Sequence, residues 1–563
     1  MLLLVFPIVL FAINAIASAT GKGPIAQTNY GAIEGTAETL SDGSTVNVFL
    51  GIPFAQPPVG ELRLEKPQPP KPWQTPLQAK SYPTACTPLS RKYLHMLNAK
   101  ADEDCLYLNL FAPQTPSTNP NGYPVLVWIH GGAFAFGSTA EYGHGSILEH
   151  FVKRGIIVVM IQYRCGPLGF AAGGDADFAG NYGLWDQRAA LLFVKDNIAA
   201  FGGDPARTTV WGESAGAASV SSLSLSTRTN DLFHQAIQNS GSAYGEWAHS
   251  NRTVKYTSDF AEFLNCSTNY PQDLKTCFKK ATVDSLLDAG DHLGTPIDLE
   301  YQLFAPRPDG DFFDKPIDEL LIDAEPKPSI IGLASDEFVL FALIEGHLSQ
   351  LPTFNDNSFI EMVNNFVPPS LFGSETDEVR QKIIDFYLKP DATETTAIDN
   401  LFYFNKYIEL GSDFFFNIPV ITELQAKTKA NWPVYTYLTT YSNKAILPEA
   451  MPFKKPTHAY ELFYIFNRQL LNKFVPDEND AEFTRILVET MAEFVKTGNP
   501  SIEGVSWPKT VESEYLELKP YGPEIKHGLF KDSFNFWTKL GEEYDFDLVK
   551  GLHKTLLKTR DEL

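Results

Sequence analysis

The sequence predicts a single large α/β domain, with a mostly parallel central sheet flanked by helices on both faces. Three observations predict it. Short continuous apolar runs recur along the chain, at 125–130, 155–164, 208–214 and 329–335, each bounded by turn residues. Helical patterns lie between them, clearest at 184–202. The runs are continuously apolar rather than alternating, as strands covered on both faces must be. The 563 residues exceed the usual single-domain length, but no internal repeat, low-complexity tract or linker interrupts the alternation, so residues 20–550 are read as one domain.

Taken in chain order, the first element is a leader. Residues 1–24 read MLLLVFPIVLFAINAIASATGKGP. The apolar run is short, is broken by Pro7 and Asn14, and ends in two overlapping A-x-A patterns. This predicts a secretory signal peptide, residues 1–17, cleaved after Ala17 or Ala19. Its basic flank is missing apart from the α-amine.

Five cysteines follow, at 86, 105, 165, 266 and 277. Two close pairs, Cys86–Cys105 and Cys266–Cys277, suit an oxidising compartment. Cys165 is left over at the end of an apolar run and reads as a buried thiol. No C-x-x-C spacing suggests a metal, and none is expected.

The run VLVWI ends in His130–Gly131–Gly132–Ala133–Phe134. A glycine-rich loop after a strand can turn backbone N–H groups toward a developing oxyanion. The run TTVW ends in Gly212–Glu213–Ser214–Ala215–Gly216, followed by a small-residue stretch able to start a helix. This is the context in which G-x-S-x-G places a serine on a strained turn, its Oγ clear of the backbone and the next N–H beside it. Asn251 and Asn265 begin N-x-S/T sequons in polar sequence and are candidate glycosylation sites.

A nucleophilic serine needs a base, and the base needs an orienting acid. In a sheet of this kind they follow in the order serine, acid, histidine. The run SIIGLA at 329–334 is followed by Ser335–Asp336–Glu337–Phe338, and either carboxyl fits by pattern. Among the later histidines, His458 stands in a loop before an apolar segment; His347 and His527 have less distinctive surroundings. The Phe-rich segment 350–430 reads as a helical insertion able to cap a pocket. The last residues, Arg560–Asp561–Glu562–Leu563, differ by one basic residue from a KDEL address and predict retrieval to the endoplasmic reticulum lumen by its receptor, with secretion as the alternative.

These blocks resemble the type-B carboxylesterase and cholinesterase family, most closely the nematode-type carboxylesterases. VNVFLGIPFAQPPVGELR, EDCLYLNLF, QYRCGPLGF, GNYGLWDQRAALLFVKDNIAAFGGDP, GESAG, DGDFF, ASDEF and THAYELFYIF stand in family order over most of the chain. The resemblance implies an α/β-hydrolase fold with helical insertions capping a gorge, and ester hydrolysis through an acyl-enzyme without a cofactor. It assigns Ser214 as nucleophile, Glu337 as acid and His458 as base. Gly132, Ala133 and Ala215 become the oxyanion donors, Glu213 and Ser240 supporting groups near the histidine, and Trp247 a wall of the acyl pocket. Both cysteine pairs match family disulfides. Thr208, Leu64 and Cys165 depart from the family pattern.

Charge and composition narrow the substrate. A formal net charge of −23 opposes binding to nucleic acid and to anionic membrane surfaces. Cholinesterases, by resemblance, carry a tryptophan in the loop of the first disulfide to hold a quaternary ammonium. Between Cys86 and Cys105 this chain has Tyr93 as its one aromatic residue. Neutral carboxylic esters are therefore expected. The alternatives are a lipase, a cholinesterase and a non-catalytic binding homologue.

Overall fold

The computed structural model describes residues 23–268, 270–293, 304–344, 346–388, 399–468 and 474–553. The signal-peptide expectation and the Arg560–Leu563 expectation fall outside them.

Eleven strands form the central sheet: β1 (Thr36–Thr39), β2 (Thr45–Pro53), β3 (Tyr107–Pro113), β4 (Tyr123–Ile129), β5 (Ile157–Ile161), β6 (Gly203–Glu213), β7 (Gln235–Asn239), β8 (Ser329–Ala334), β9 (Val434–Thr439), β10 (Tyr515–Leu518) and β11 (Glu524–Lys526). Their order across the sheet is β11-β10-β9-β8-β7-β6-β4-β5-β3-β2-β1. The block from β10 to β5 is parallel throughout. Antiparallel strands close both edges. This is the mostly parallel α/β sheet that the four apolar runs predicted, with β4, β5, β6 and β8 on those runs, and the α/β-hydrolase architecture that the resemblance implied.

The reason for continuous apolarity is visible in β4. Val125, Val127 and Ile129 enter one core, whereas Leu126 and Trp128 enter the core on the other face. Successive side chains point to opposite faces of a strand, so a strand buried on both must be apolar at every position. On the second face Trp128 lies 4.1 Å from Trp211, and Trp211 stacks on Phe466 at 5.5 Å.

Helices cover both faces. α1 (Tyr182–Asn197) forms on the 184–202 pattern and α2 (Ala215–Leu225) starts at the serine turn. The Phe-rich segment is helical: α3 (Asp356–Phe366), α4 (Thr376–Tyr387), α5 (Asn400–Ser412) and α6 (Ile418–Lys429). A π-helical turn, Asp413–Asn417, joins α5 to α6. Phe359, Phe366 and Phe404 are buried in the core, so part of this segment packs rather than caps.

Two disulfides, Cys86–Cys105 and Cys266–Cys277, are formed. Cys165 is buried and unbonded, and burial pushes its thiol well above the usual range. Among the described residues no helix is long and apolar enough to cross a membrane.

The topology concentrates loops at one edge. In a parallel sheet every strand delivers its following loop to the same side, where sites form. Here the loops after β4, β6, β8 and β9 converge. Ser335 N–H donates to Thr439 O at 3.1 Å, and Asp336 N–H donates to Pro456 O at 3.2 Å.

Candidate active site

The serine turn is built by close approach. β6 ends at Glu213, and α2 begins at Ala215. Between them Ser214 takes φ 57° and ψ −126°, a conformation that costs a non-glycine residue about 1–3 kcal/mol. A β-carbon on Gly212 would lie 2.3 Å from the Gly216 carbonyl carbon, and one on Gly216 would lie 2.1 Å from Ile129 O. Both positions exclude any side chain. Strand, turn and helix are thus pressed together, and Ser214 N–H is tied to Asn239 O at 2.8 Å.

The loop after β4 closes on this turn. A β-carbon on Gly131 would come within 2.9 Å of Ser214 Cβ. Gly132, Ala133 and Phe134 all have positive φ, at 109°, 55° and 56°. Such a run turns successive N–H groups the same way. The N–H groups of Gly132, Ala133 and Ala215 have no hydrogen-bond acceptor among the described residues. Ala215 is the first residue of α2, where an N–H has no intrahelical partner.

Glu337 and His458 meet beside them. His458 Nδ1 and Glu337 Oε2 are 2.7 Å apart. The other carboxylate oxygen, Oε1, accepts from Ser240 Oγ at 2.6 Å and from Ala334 N–H at 2.7 Å. His458 N–H donates back to Glu337 O at 3.2 Å. Thr457 Oγ1 donates to Glu337 O at 3.3 Å and accepts from Leu340 N–H at 2.6 Å, lacing the two loops together.

Asp336, the neighbouring carboxyl left open by pattern, instead pairs with Lys455 at 2.8 Å. His347 lies in the turn His347–Thr353, away from the cavity lining. His527 is exposed and 3.7 Å from Glu514.

The electrostatics of the centre are dominated by buried carboxyls. His458 is 3% exposed and Glu337 fully buried. Burial alone disfavours the imidazolium, but the charge of Glu213, the Glu337 hydrogen bond and the charges of Glu337 and Glu461 outweigh it. The ring is therefore held above its ordinary value. Glu213 is pushed up to about 7, first by burial and then by the Glu337 and Glu461 charges, against the pull of His458 and Arg468.

Ser214 and His458 open onto one cavity of about 280 Å³. Its wall is largely aromatic: Trp247, Phe338, Phe341, Phe415 and Phe416. The Trp247 indole N–H donates to Phe415 O, and the Phe416 ring lies 4.4 Å from His458. The first disulfide loop contributes Tyr93, stacked on Phe136 at 4.5 Å, and Met96. Asn251 and Asn265 are exposed.

Sequence reading missed Phe341, Phe415, Phe416, Glu141 and Arg468 on this wall. The Phe-Phe-Phe triplet at 414–416 was the available signal, but a phenylalanine run reads equally as core.

The model of the Carboxylesterase family matches residues 22–537. The chain is similar to Gut esterase 1 of Caenorhabditis briggsae, at 36% identity over 96% of this chain and 97% of the relative. It is similar to Gut esterase 1 of Caenorhabditis elegans, at 35% identity over 97% of this chain and 98% of the relative. Pyrethroid hydrolase Ces2e of Rattus norvegicus is 32% identical over 92% of this chain and 89% of that protein.

Proposed function

The chain belongs to the carboxylesterase family and is a carboxylic-ester hydrolase, and from that premise we propose that Ser214, His458 and Glu337 carry out the hydrolysis of neutral esters through an acyl-serine. The observation that supports this most directly is that His458, in the wall of the cavity onto which Ser214 opens, is held from behind by Glu337 at 2.7 Å.

The chemistry follows from the positions. Neutral His458 accepts the Ser214 proton as Oγ attacks the ester carbonyl. Glu337 fixes the tautomer with the proton on Nδ1 and stabilises the imidazolium that forms. The N–H groups of Gly132, Ala133 and Ala215 receive the oxyanion; one such donor is worth about 10²–10³ in rate. The imidazolium protonates the departing alcohol. Water then enters, gives its proton to His458 and releases the acid. Trp247 and the Phe415–Phe416 turn accommodate the acyl chain.

Neutral esters are favoured because the disulfide loop offers Tyr93 and no tryptophan to a quaternary ammonium. Residues 20–550 form the catalytic domain. The protein enters the secretory pathway by residues 1–17, carries glycans at Asn251 and Asn265, and is returned to the endoplasmic reticulum by Arg560–Leu563.

The test is covalent labelling. A fluorophosphonate probe should modify Ser214 with loss of p-nitrophenyl ester turnover, and Ser214→Ala should lower kcat by about 10⁶-fold with the fold intact. A Ser214→Ala enzyme that still shows an acyl burst would refute the assignment.

A further inference from the structure

The wall of the cavity carries a charged pair with no role in the steps above. Arg468 Nη2 donates to Glu141 Oε2 at 2.6 Å. The guanidinium also lies 4.7 Å from the centre of the Tyr142 ring. All three residues line the cavity. Among its described lining residues, Arg468 is the one permanent cation. Glu141 lies on the turn Thr139–Glu141, just after the loop that presents the free N–H groups; Arg468 follows the helix Tyr460–Ile465, just after His458. Two elements that shape the reacting centre therefore also hold this guanidinium against it.

The pair is held rather than floating. Glu141 has a side chain only 3% exposed, whereas that of Arg468 is 17% exposed. A guanidinium presents five N–H donors in a rigid fork and accepts nothing. Among the described residues, Glu141 and Tyr142 engage part of that fork and no other acceptor takes the rest.

The pair shares its cavity with the groups that handle the leaving alcohol. His458 Nε2, which must hand its proton to the departing oxygen, lies 3.1 Å from Glu213 Oε1. Glu213 and Arg468 both line the cavity.

We propose that Arg468, held by Glu141, is a specificity-determining residue that selects esters whose alcohol half carries a second, uncharged oxygen acceptor, such as an ether, hydroxyl or further ester carbonyl. This deepens the esterase reading above and rests on it.

The acceptor is uncharged because the surroundings are already crowded with acids. Glu141, Glu213, Glu337 and Glu461 all lie near the centre. Glu141 touches the guanidinium and is still pushed up to about 7, burial outweighing the attraction of Arg468. A wall that holds its own carboxylate so poorly is a poor seat for another. A cationic alcohol meets the guanidinium itself. A neutral oxygen takes a hydrogen bond from the fork without either penalty.

The test uses isosteric alcohols on one acyl chain. Butyl octanoate and 2-methoxyethyl octanoate match in length and differ by one ether oxygen. Each kcat/KM is divided by the rate of alkaline hydrolysis, which removes intrinsic reactivity. The wild-type enzyme should favour the methoxyethyl ester by about tenfold, the worth of a hydrogen bond from a charged donor, and Arg468→Met should bring the ratio to about one. Arg468→Lys, which keeps the charge and loses the fork, should fall between. Should Arg468→Met fail to fold, the ratio in Arg468→Lys decides: a fall supports the proposal and an unchanged ratio overturns it.

A normalised ratio near one in the wild type, a ratio that survives Arg468→Met, or a preference for 2-carboxyethyl octanoate would overturn the proposal. Failure of the esterase reading looks different: neither ester is cleaved and Ser214 is not labelled by the fluorophosphonate.

Discussion

Glu213 Oε1 stands 3.1 Å from His458 Nε2, on the ring nitrogen opposite the one that Glu337 engages. The imidazole is thus flanked by two buried carboxyls, one at each nitrogen. In the proposed mechanism the nitrogen that exchanges protons with Ser214 is the one beside Glu213, not the one held by Glu337.

That position makes Glu213 a control on the pH profile. Protonated His458 cannot act as base, so kcat/KM should fall as pH drops through its titration. The ring is held above its ordinary value of 6.5, so the acid limb should begin above that pH. Glu213→Gln removes the largest of the raising influences. The limb should then move to lower pH while the alkaline plateau persists. The sign for stability is the opposite: a histidine raised on folding stabilises most below its unfolded value and loses that contribution as pH rises through the folded one. A pH–rate series on both enzymes checks this, and an acid limb that stays in place would count against Glu213 as its cause.

Ser240 supplies a second handle on Glu337. Its hydroxyl is one of two donors to Oε1, at 2.6 Å, and it is fully buried. Ser240→Ala leaves the Ala334 N–H alone on that oxygen. The carboxylate should then hold the imidazole less firmly, costing about tenfold in kcat with little change in KM, the rate equivalent of one hydrogen bond to a charged group. Steady-state kinetics on a single ester read this directly.

The sheet was legible in the sequence because its physics is local. β4, β5, β6 and β8 declare themselves as apolar runs since both faces are covered. The short β1, β10 and β11 lie at the edges, where one-sided burial leaves a weaker pattern. The serine turn was legible because Gly212 and Gly216 admit no side chain. The acid was less so: Asp336 and Glu337 are adjacent, and only the geometry separates the carboxyl on His458 from the one on Lys455. The cavity wall was hidden for a different reason. Phe415 and Phe416 reach it through a π-helical turn, and Arg468 through an ion pair with a residue 327 positions away. Neither arrangement leaves a period in the sequence.

Ala133 offers a test of stored strain. It occupies φ 55°, where a β-carbon costs about 1–2 kcal/mol and glycine costs none. Ala133→Gly keeps the N–H that we propose receives the oxyanion. Some of the gain is lost to the greater freedom of glycine in the unfolded chain. The net expectation is a stabilisation of about 0.5–1 kcal/mol in urea denaturation, with kcat within about threefold of the parent. A destabilised enzyme would mean that the methyl group packs more than it strains.

The first disulfide should matter for binding more than for chemistry. Cys86 and Cys105 close a loop whose Tyr93 and Met96 line the cavity, while none of the residues at the reacting centre lies within it. The double variant Cys86→Ala, Cys105→Ala releases that wall and adds loop freedom to the unfolded chain, a loss of about 3 kcal/mol in the chain-entropy model. Below the melting temperature the Glu337–His458 pair and the serine turn remain in place, since β6, β8 and β9 hold them. KM for a bulky ester should therefore rise several-fold while kcat changes little. If kcat collapses and KM holds, the loop must position the reacting groups rather than the substrate. Kinetics of the double variant at a temperature where circular dichroism shows it folded separates the two outcomes.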